Sequence, residues 1–373
     1  MSWKVKYINY PAQYAKLREE ILEKIDSTLQ AGDVMMRHQL DEFEAHLAEF
    51  VSTKFALGLN SGTDALQLAL KAAGVSTGDE VITVSHTMGA TVAAIIHNNS
   101  VPVLVDIQDD HNMDPNRIES ALTPKSKAII PVHLNGRICD MDTIMEISDK
   151  ANLIVIEDAA QALGASFNNR PAGSFGHAGC FSFYPAKILG TYGDAGGLVT
   201  NSENLYQKVK LLRNHGISEK GEIELWGYNT RLDNLHAVIL DLKLSLVRQW
   251  VDQRRSIAAK YTALLGSCSS VKLPPEPITE GPYFDAFQNY EIEAVNRDGL
   301  VNFLQKQGVE VLIPWKGKAV HQFESLGLSH YSRYLPKTNE LFQNVLMIPM
   351  HCELSDSDVE YVADTIKAFY KSN

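Results

Sequence analysis

The segment "FALGLNSGTDALQLALKAAG" (residues 55–74) holds a strand pattern, a turn and a helix pattern in immediate succession. Its second half repeats apolar residues at the spacing of one helix face: Leu66, Ala69, Leu70 and Ala73. Ser61, Gly62 and Thr63 open this helix, where free backbone N–H groups and the helix dipole favour an anion such as a phosphate. A plain serine N-cap explains the same residues, and the segment alone does not decide between the two.

Further β-rich runs follow along the chain: "EVITV" (80–84), "VPVLVD" (101–106), "AIIPVH" (128–133), "LIVIED" (153–158), "GCFSF" (179–183) and "GGLVT" (196–200). Runs so continuously apolar, separated by stretches that can hold a helix, predict an α/β domain whose largely parallel sheet is covered on both faces. Ligands of such sheets bind beyond the carboxyl ends of the strands, so polar residues at those ends are candidate functional residues.

The pattern changes near residue 240. The segment "HAVILDLKLSLVRQWVDQRRSIAAKYTALL" (236–265) is typical of one long helix, and "KLPPEP" (272–277) then breaks the pattern. We therefore expect an N-terminal arm over residues 1–30, a large domain over 31–245 and a smaller α+β domain over 246–373.

Composition excludes several classes of protein. The 373 residues carry a formal net charge of -11, which gives no electrostatic footprint for nucleic acid. No apolar run approaches the ~18 to 20 residues that span a bilayer, and the N-terminus lacks the pattern of a signal peptide, so we expect a cytoplasmic protein without a membrane partner. The four cysteines share no metal-type spacing, which predicts buried reduced thiols and no metal site.

Two segments supply reactive side chains at strand ends. "LIVIEDAAQALG" (153–164) ends a buried strand with Glu157 and Asp158, a costly place for a carboxylate unless it meets a cation or a donor, or caps a following helix. "FSFYPAKILGTYGDAGG" (181–197) supplies Ser182 and Lys187 between aromatic residues and four glycines. Those glycines precede a strand and lack the G-x-G-x-x-G spacing of a dinucleotide loop, so we expect them to let the backbone turn tightly around the lysine.

One cofactor needs all of these elements. Pyridoxal 5′-phosphate (PLP) requires an amine for a Schiff base, an anion pocket for its phosphate, and a carboxylate that keeps its pyridine nitrogen protonated. Lys187, the helix start at residues 61–63 and Asp158 are the candidate suppliers. Partial neutrality, which burial can arrange, suits a lysine that acts first as nucleophile and then as base.

Four motifs carry a resemblance to a known family: "NSGTDAL", "EDAAQALGA", "FSFYPAKILGTYGDAGGLVTN" and "GYNTRLDNLHA". In content, order and spacing they resemble the DegT/DnrJ/EryC1/StrS family of sugar aminotransferases. The resemblance implies PLP-dependent transferase fold type I, the aspartate aminotransferase-like fold, with a mostly parallel seven-stranded sheet in the large domain and a smaller C-terminal α+β domain. It also implies a homodimer with shared active sites.

The resemblance further implies roles for individual residues. Lys187 would form the Schiff base and carry the proton, Asp158 would pair with the pyridinium nitrogen, and Gln161 would lie near the phenolic oxygen. Other residues would hold the phosphate or complete the partner's site: Ser61, Gly62, Thr63 and Ser182 within the chain, and Asn229 and Arg231 across the dimer.

Two departures from the family pattern concern the substrate. Met88 in "SHTMGAT" stands where the family usually has an aromatic residue on the cofactor ring, and a thioether can also pack on a π face. "PWKGKAVHQF" (314–323) replaces a stretch that often contacts the sugar in the family. There Lys316 and His321 are candidate contacts to a carboxylate or phosphate of the acceptor, and a solvated cationic loop is the alternative.

The sequence thus predicts an aminotransferase that moves an amino group from an amino acid, by family habit glutamate, to a keto or aldehyde sugar. It most resembles the branch that aminates C8 of oxidised 3-deoxy-D-manno-octulosonic acid for lipopolysaccharide. A 3- or 4-keto hexose linked to a nucleotide is the alternative acceptor.

Other roles remain open at this stage. A non-catalytic regulator is disfavoured because such a protein would not need Lys187 and Asp158. A sugar dehydratase of this fold is disfavoured because such enzymes have a histidine in place of the lysine. A desulfurase would need Cys352 as an exposed, reactive thiol. His86 and His133 at strand ends are either hydrogen-bonded buried imidazoles or catalytic groups.

Overall fold

The computed structural model describes residues 3–371. Its helices are α1 (Tyr10–Gln30), α2 (His38–Val51), α3 (Gly62–Ala72), α4 (Gly89–His97), α5 (Ile118–Ala121), α6 (Met141–Ala151), α7 (Glu203–Arg213), α8 (Asn234–Leu244), α9 (Val247–Leu265), α10 (Arg297–Lys306), α11 (Pro336–Asn344) and α12 (Asp356–Lys371). None of the helices in this range is long and apolar enough to cross a membrane.

The strands are β1 (Phe55–Leu59), β2 (Glu80–Val84), β3 (Val101–Val105), β4 (Ser126–Ile129), β5 (Ile154–Asp158), β6 (Ser166–Phe167), β7 (Arg170–Pro171), β8 (Ala178–Ser182), β9 (Gly196–Thr200), β10 (Val271–Lys272), β11 (Tyr283–Phe284), β12 (Tyr290–Ala294) and β13 (Val345–Ile348). Seven of them form one sheet in the order β1-β9-β8-β5-β4-β2-β3. Strand β9 pairs antiparallel with β1 and β8, and the other pairs are parallel. The predicted fold class is confirmed.

The large sheet is buried on both faces because its strands are apolar at successive positions. On β2, Val81 belongs to the apolar cluster on one face, and the next residue, Ile82, belongs to the cluster on the other. On β5, Ile156 and Val155 divide in the same way. Alternate side chains of a strand point to opposite faces, so each strand serves two helical layers at once.

A second hydrophobic core forms around the antiparallel sheet β10-β12-β13, with α10, α12 and the end of α9 packed on it. Helix α9 joins the two cores, because Val251 packs in the large core whereas Tyr261 packs in the small one. The single helix predicted over 236–265 is wrong. A turn at Ser245 and Leu246 separates α8 from α9, and there the Leu246 N–H bonds the Lys243 carbonyl three residues back.

The N-terminal residues lie along both domains. Val5 forms a parallel bridge with Val309 of the small domain, and α1 packs against α8 through a cluster that includes Ile21 and Val238. The predicted arm therefore has defined neighbours from residue 4 onward, while its residues 1 and 2 and the C-terminal residues 372 and 373 lie outside the described range. A segment of the predicted small domain also covers the large one, since Val320 packs with Leu104.

Candidate active site

A pocket of about 540 Å³ opens where the carboxyl ends of the large-sheet strands meet the small domain. Both domains and the N-terminal residues line it. The lining includes Tyr7, Ser61, Gly62, Thr63, Met88, His133, Asp158, Gln161, Ser182, Lys187, Gln288, Asn289, Trp315 and Met347. The pocket therefore brings together the predicted amine, carboxylate and helix start.

The start of α3 forms one end of the pocket. Ser61 is an N-cap, since its hydroxyl accepts the Asp64 N–H at 3.1 Å and donates to the Asp64 carboxylate at 2.8 Å. The first N–H groups of the helix have no acceptor within it, and the residues that carry them, Gly62 and Thr63, line the pocket. The cap and the anion-binding interpretation are therefore compatible at this turn.

Glycines bring other backbone close to this turn. A Cβ on Gly196 would lie 2.2 Å from the Ser61 carbonyl carbon, and one on Gly62 would lie 2.9 Å from the Ser182 Cβ. The four glycines of segment 181–197 all have negative or extended φ, so what they provide is close approach and not a left-handed turn. The chain does turn tightly beside the lysine, since the Lys187 N–H bonds the Tyr184 carbonyl at 2.9 Å and a Cβ on Gly190 would lie 2.6 Å from the Pro185 carbonyl oxygen.

Lys187 follows β8 and is buried at its amine end. Burial lowers the pKa of its ammonium to about 8, and the negative charge of Asp158 opposes that shift. Roughly a tenth of the amine is therefore neutral at pH 7, far more than for an ordinary lysine, and the neutral form is the one that acts as a nucleophile.

Asp158 ends β5 and is buried in the wall of the pocket. Its Oδ2 accepts a hydrogen bond of 2.7 Å from the Thr91 hydroxyl, and its Oδ1 accepts the Ala160 N–H at 3.2 Å. Burial raises the pKa of this carboxyl, and the bonds from Thr91 and Ala160 oppose the rise. No helix begins at Ala159, so the alternative of a helix cap does not hold for Asp158.

Gln161 lies between the two domains. Its Oε1 accepts the Asn135 N–H at 2.8 Å and the Asn289 side-chain amide at 3.2 Å. With Oε1 engaged, the Nε2 group is the end of this side chain that remains to donate into the pocket. Met88 is 56% exposed at the pocket mouth, where a thioether can contact a bound ring.

His133 is a structural imidazole. The Cys139 N–H donates to its Nδ1 at 3.2 Å, and its Nε2 is 2.9 Å from the Glu157 carboxylate. Glu157 also accepts backbone N–H groups from residues 173, 175 and 176, each at 2.7 Å. Both ring nitrogens of His133 are thus occupied. His86 is fully buried near Glu291 and does not line the pocket. Both histidines are therefore structural: His133 is hydrogen-bonded and His86 is packed in the interior.

The predicted sugar contacts do not face this pocket. His321 is fully buried, with Nδ1 2.7 Å from the Ser85 hydroxyl and Nε2 2.9 Å from Asn339 Oδ1. Because protein atoms occupy both nitrogens, the predicted contact between His321 and the substrate is corrected. Lys316 is exposed on a turn with φ 58°, and its neighbour Trp315, not Lys316, lines the pocket.

Asn229 and Arg231 also lie outside the pocket of their own chain. Asn229 bridges to Asn214, and Arg231 donates to the Asn214 side chain at 3.1 Å beside the end of β1. Cys352 is half-buried, its Sγ lies 3.5 Å from the Trp250 carbonyl, and burial raises the pKa of the thiol. Such a thiol is not the exposed thiolate that a desulfurase needs.

Several pocket residues had no signal in the sequence. Tyr7 comes from the N-terminal segment, and Gln288 and Asn289 come from the connection before β12. Thr91, in the first turn of α4, does not line the pocket but donates to Asp158, which does. These polar residues lie among ordinary apolar patterns, and only the tertiary fold brings them together.

Pyridoxal 5′-phosphate fits this pocket by the chemistry of its groups. The open N–H groups of α3 suit a phosphate, the buried Asp158 suits a protonated ring nitrogen, and the partly neutral amine of Lys187 suits an aldehyde. A fold of this type with such a pocket defines a PLP-dependent aminotransferase.

Comparison with known proteins narrows that class. The DegT/DnrJ/EryC1/StrS aminotransferase family profile matches residues 15–367, and the chain belongs to this family. The chain is 37% identical over 368 residues to a "Pleiotropic regulatory protein" of Geobacillus stearothermophilus, and the alignment covers 98% of this chain and 99% of that protein. It is also 37% identical to the UDP-N-acetyl-3-dehydro-alpha-D-glucosamine 3-aminotransferase of Acidithiobacillus ferrooxidans, with 97% of each chain covered.

A solved structure agrees with the fold. The crystal structure of DesV from Streptomyces venezuelae superposes with a TM-score of 0.93 at 33% identity, covering 99% of this chain and 98% of that one. The resemblance seen in the sequence is confirmed, and so are the expected sugar aminotransferase activity and the PLP cofactor. The protein is a PLP-dependent sugar aminotransferase that acts on keto sugars.

Proposed function

We propose that the enzyme transfers an amino group from L-glutamate to the C3 carbonyl of a nucleotide-linked keto hexose. The observation that carries the transfer is the partly neutral Lys187 amine in one pocket with the buried Asp158 carboxylate. The name of the Acidithiobacillus relative, a 3-aminotransferase of a UDP-linked sugar, supports the acceptor.

The positions of Lys316 and His321 bear on the octulosonate acceptor that the sequence predicts. A carboxylated acceptor without a nucleotide would suit the altered segment 314–323, in which Lys316 and His321 are candidate contacts to a carboxylate or phosphate. Lys316 lies outside the pocket lining and His321 is buried with both nitrogens bonded, so neither is placed to bind such a group. The octulosonate thus loses the support of this segment, while the names of two relatives, aminotransferases of dTDP- and UDP-linked sugars, support the nucleotide-linked hexose.

The chain's own residues would divide the work as follows. PLP supplies, when bound, an electron sink that stabilises negative charge on the substrate carbon. Lys187 Nζ would take the proton from that carbon and deliver it to the cofactor carbon, a step for which a positioned base typically contributes ~10² to 10⁴ in rate. Asp158 would keep the ring nitrogen protonated, Gln161 Nε2 would donate to the phenolic oxygen, and the N–H groups of α3 with Ser182 would hold the phosphate.

A second copy of the chain would complete the site. Among the described residues that line the pocket, Lys187 is the one lysine or arginine, although a glutamate donor brings two carboxylates. Arg231 and Asn229 lie outside the pocket of their own chain. They follow a loop in which Trp226 is 91% exposed and Ile223 is 67% exposed. We propose a homodimer in which these residues enter the partner's pocket.

A substrate comparison tests the reaction. The loaded enzyme is incubated with glutamate and, in separate samples, a UDP-linked 3-keto hexose, a 4-keto nucleotide hexose or oxidised octulosonic acid, while 2-oxoglutarate is followed. Turnover with the 3-keto sugar is expected. Turnover with octulosonic acid alone would return the acceptor to the first prediction, and an absorbance spectrum that no amino donor changes would support a regulator like the Geobacillus protein.

Mixed dimers test the shared site. Lys187→Ala and Asn229→Ala proteins are each expected to be inactive or weak, whereas co-refolded mixtures contain dimers with one intact site. Recovery of activity on mixing supports shared sites. If the mixture shows only the sum of the two variants' activities and light scattering gives the mass of a monomer, shared sites are contradicted.

A further inference from the structure

The side-chain amide of Gln288 holds the backbone on both sides of Lys187. Its Oε1 accepts the Ile188 N–H at 2.8 Å, and its Nε2 donates to the Ala186 carbonyl at 2.8 Å. The glutamine is 94% buried and comes from the connection before β12 of the small domain. One side chain therefore fixes the position of the residue before Lys187 and of the residue after it.

The next residue, Asn289, holds the opposite wall of the same pocket. Its Nδ2 donates to Asn135 Oδ1 at 2.9 Å and to Gln161 Oε1 at 3.2 Å, and its Oδ1 accepts the Tyr7 hydroxyl at 3.1 Å. Together with the Asn135 N–H, Asn289 directs Gln161 Oε1 away from the pocket. Gln161 is then left to present its Nε2–H, a donor that suits a phenolate oxygen.

The backbone of this dipeptide is itself held in place. One nitrogen of the buried Arg254, Nη1, lies 3.1 Å from the Phe287 and Gln288 carbonyls and 3.0 Å from the Met350 carbonyl. On the other side Gly136, with φ 94°, approaches so closely that a Cβ there would lie 2.7 Å from the Gln288 nitrogen. The dipeptide is thus fixed to α9 and to the large domain at once.

We infer that Gln288 and Asn289 are positioning residues for the reaction: Gln288 orients the backbone that carries the Lys187 amine, and Asn289 orients the Gln161 amide. This inference rests on the proposed roles of Lys187 and Gln161. Their side-chain hydrogen bonds go to the backbone beside Lys187 and to Asn135, Gln161 and Tyr7, not to the Lys187 amine or the Asp158 carboxylate. Because both belong to one small-domain segment, the packing of the small domain sets the geometry of both pocket walls.

Exchange of a backbone proton tests the Gln288 contact without cofactor. Gln288→Met keeps the length of the side chain but removes both hydrogen bonds. In the cofactor-free variant, amide hydrogen exchange at Ile188 is expected to accelerate at least about tenfold, the effect of losing one buried hydrogen bond. The matched control is Gln322→Met, which removes another two-ended glutamine, bonded to the Ala319 N–H at 2.9 Å and to Asn339 at 3.2 Å.

The loaded enzyme gives the catalytic readout. Gln288→Met is expected to lower kcat about tenfold or more with little change in KM for glutamate, and to weaken PLP binding. Gln288→Glu supplies rescue, because a protonated carboxyl can both donate to Ala186 and accept from Ile188 whereas the carboxylate can only accept. The activity of Gln288→Glu relative to the wild type should rise as pH falls, and that of Gln288→Met should not.

Asn289→Asp tests the second wall. An aspartate can still accept from Tyr7 but cannot donate to Gln161, so the pH at which the bound cofactor changes colour should move upward as the phenolate loses its donor.

Failure of this inference is distinguishable from failure of the proposed function. Borohydride reduction and peptide mapping of the wild type show first whether Lys187 binds the cofactor at all. If Lys187 is labelled but Gln288→Met, folded with a thermal midpoint like that of Gln322→Met, matches the wild type in Ile188 exchange and kcat, the positioning role is refuted. Unchanged colour transitions in Asn289→Asp would refute the role of Asn289.

Discussion

The hydroxyl of Thr91 donates a hydrogen bond of 2.7 Å to the carboxylate of Asp158. Thr91 lies in the first turn of α4, and its hydroxyl oxygen is also 2.7 Å from that of Thr87. Since the hydroxyl proton of Thr91 is donated to Asp158, the Thr87 hydroxyl is the donor in its bond with Thr91. This buried chain favours the ionised form of Asp158 against the effect of burial, which raises the pKa of the carboxyl.

Thr91→Val should impair the pairing of Asp158 with the ring nitrogen. The valine has nearly the same shape but no hydroxyl, so the pKa of Asp158 rises further and its ionised fraction falls at the acidic end. The acidic limb of the kcat–pH profile is expected to move to higher pH, with kcat at pH 7 lowered about tenfold. Thr91→Ser keeps the donor and should retain the wild-type profile. Superimposable profiles for the valine variant and the wild type would rule this coupling out.

The pH dependence of cofactor attachment should report the shifted pKa of Lys187. In the cofactor-free protein the amine has a pKa of about 8, and only its neutral form attacks an aldehyde. The attachment rate, followed by absorbance, should rise about tenfold from pH 6 to pH 7 and level off above pH 8. A rate that keeps rising to pH 10 would indicate an ordinary exposed lysine.

Lys187→Ala should abolish turnover, and borohydride labelling at this position should disappear. The control is Lys150→Ala, since Lys150 is exposed on α6 and pairs with Glu146 at 2.6 Å. That variant should keep both labelling and activity. Near-normal activity in Lys187→Ala would contradict the role proposed for the lysine.

The seven strands and the reactive pair Lys187 and Asp158 were predictable because their signals are local. An apolar run and the polar residue that ends it are adjacent in sequence, and the topology of a parallel sheet brings such ends together. The same local reasoning accounts for the N-cap at Ser61. It fails where a contact spans the chain: Tyr7 meets Asn289 282 residues away, and no periodic pattern marks either residue.

His321 shows the opposite error. Its segment contains two lysines and is interrupted by glycine, a composition typical of an exposed cationic loop, yet the imidazole is buried against Ser85, 236 residues earlier in the chain. The bond to Ser85 makes His321 a structural contact between two distant segments of the chain, not a contact to the substrate. The break between α8 and α9 was missed for a related reason, because Ser245 and Leu246 keep helical backbone angles and only the bonding changes.

His111 should stabilise the protein in a pH-dependent manner. Its ring nitrogens lie 2.8 Å from Glu291 and 3.1 Å from Glu293 on β12. Burial lowers the pKa of His111, but the two glutamates outweigh this and raise it to about 9. The stabilisation is therefore complete below the unfolded pKa of about 6.5 and is lost as pH rises through about 9.

The same two glutamates determine how far this stabilisation extends toward acidic pH. The pKa values of Glu291 and Glu293 are lowered, so their contribution is present above about 4.5 and is lost as pH falls. His111→Asn suits the left-handed φ of 70° at this position. At pH 6 it should lower the free energy of unfolding by about 3 kcal/mol, and by much less at pH 10. Urea unfolding at both pH values checks this, and a pH-independent difference would contradict it.

Gly196→Ala should damage the phosphate end of the pocket. The added Cβ would lie 2.2 Å from the Ser61 carbonyl carbon and 2.4 Å from the Gly62 nitrogen, both backbone atoms of the turn that opens α3. The turn must move, which costs about 1–3 kcal/mol and misplaces the N–H groups proposed to hold the phosphate. The dissociation constant for PLP should rise about tenfold or more, as measured by fluorescence titration of cofactor-free protein.

Gly89→Ala is the matched control for that substitution. Gly89 opens α4 near the same pocket mouth, nothing lies within 4 Å of an added Cβ, and its φ is not positive. Alanine also favours helix over glycine, so the control should bind PLP like the wild type and be slightly more stable. If Gly196→Ala bound PLP as tightly as Gly89→Ala, the close approach of β9 to α3 would have no part in forming the anion site.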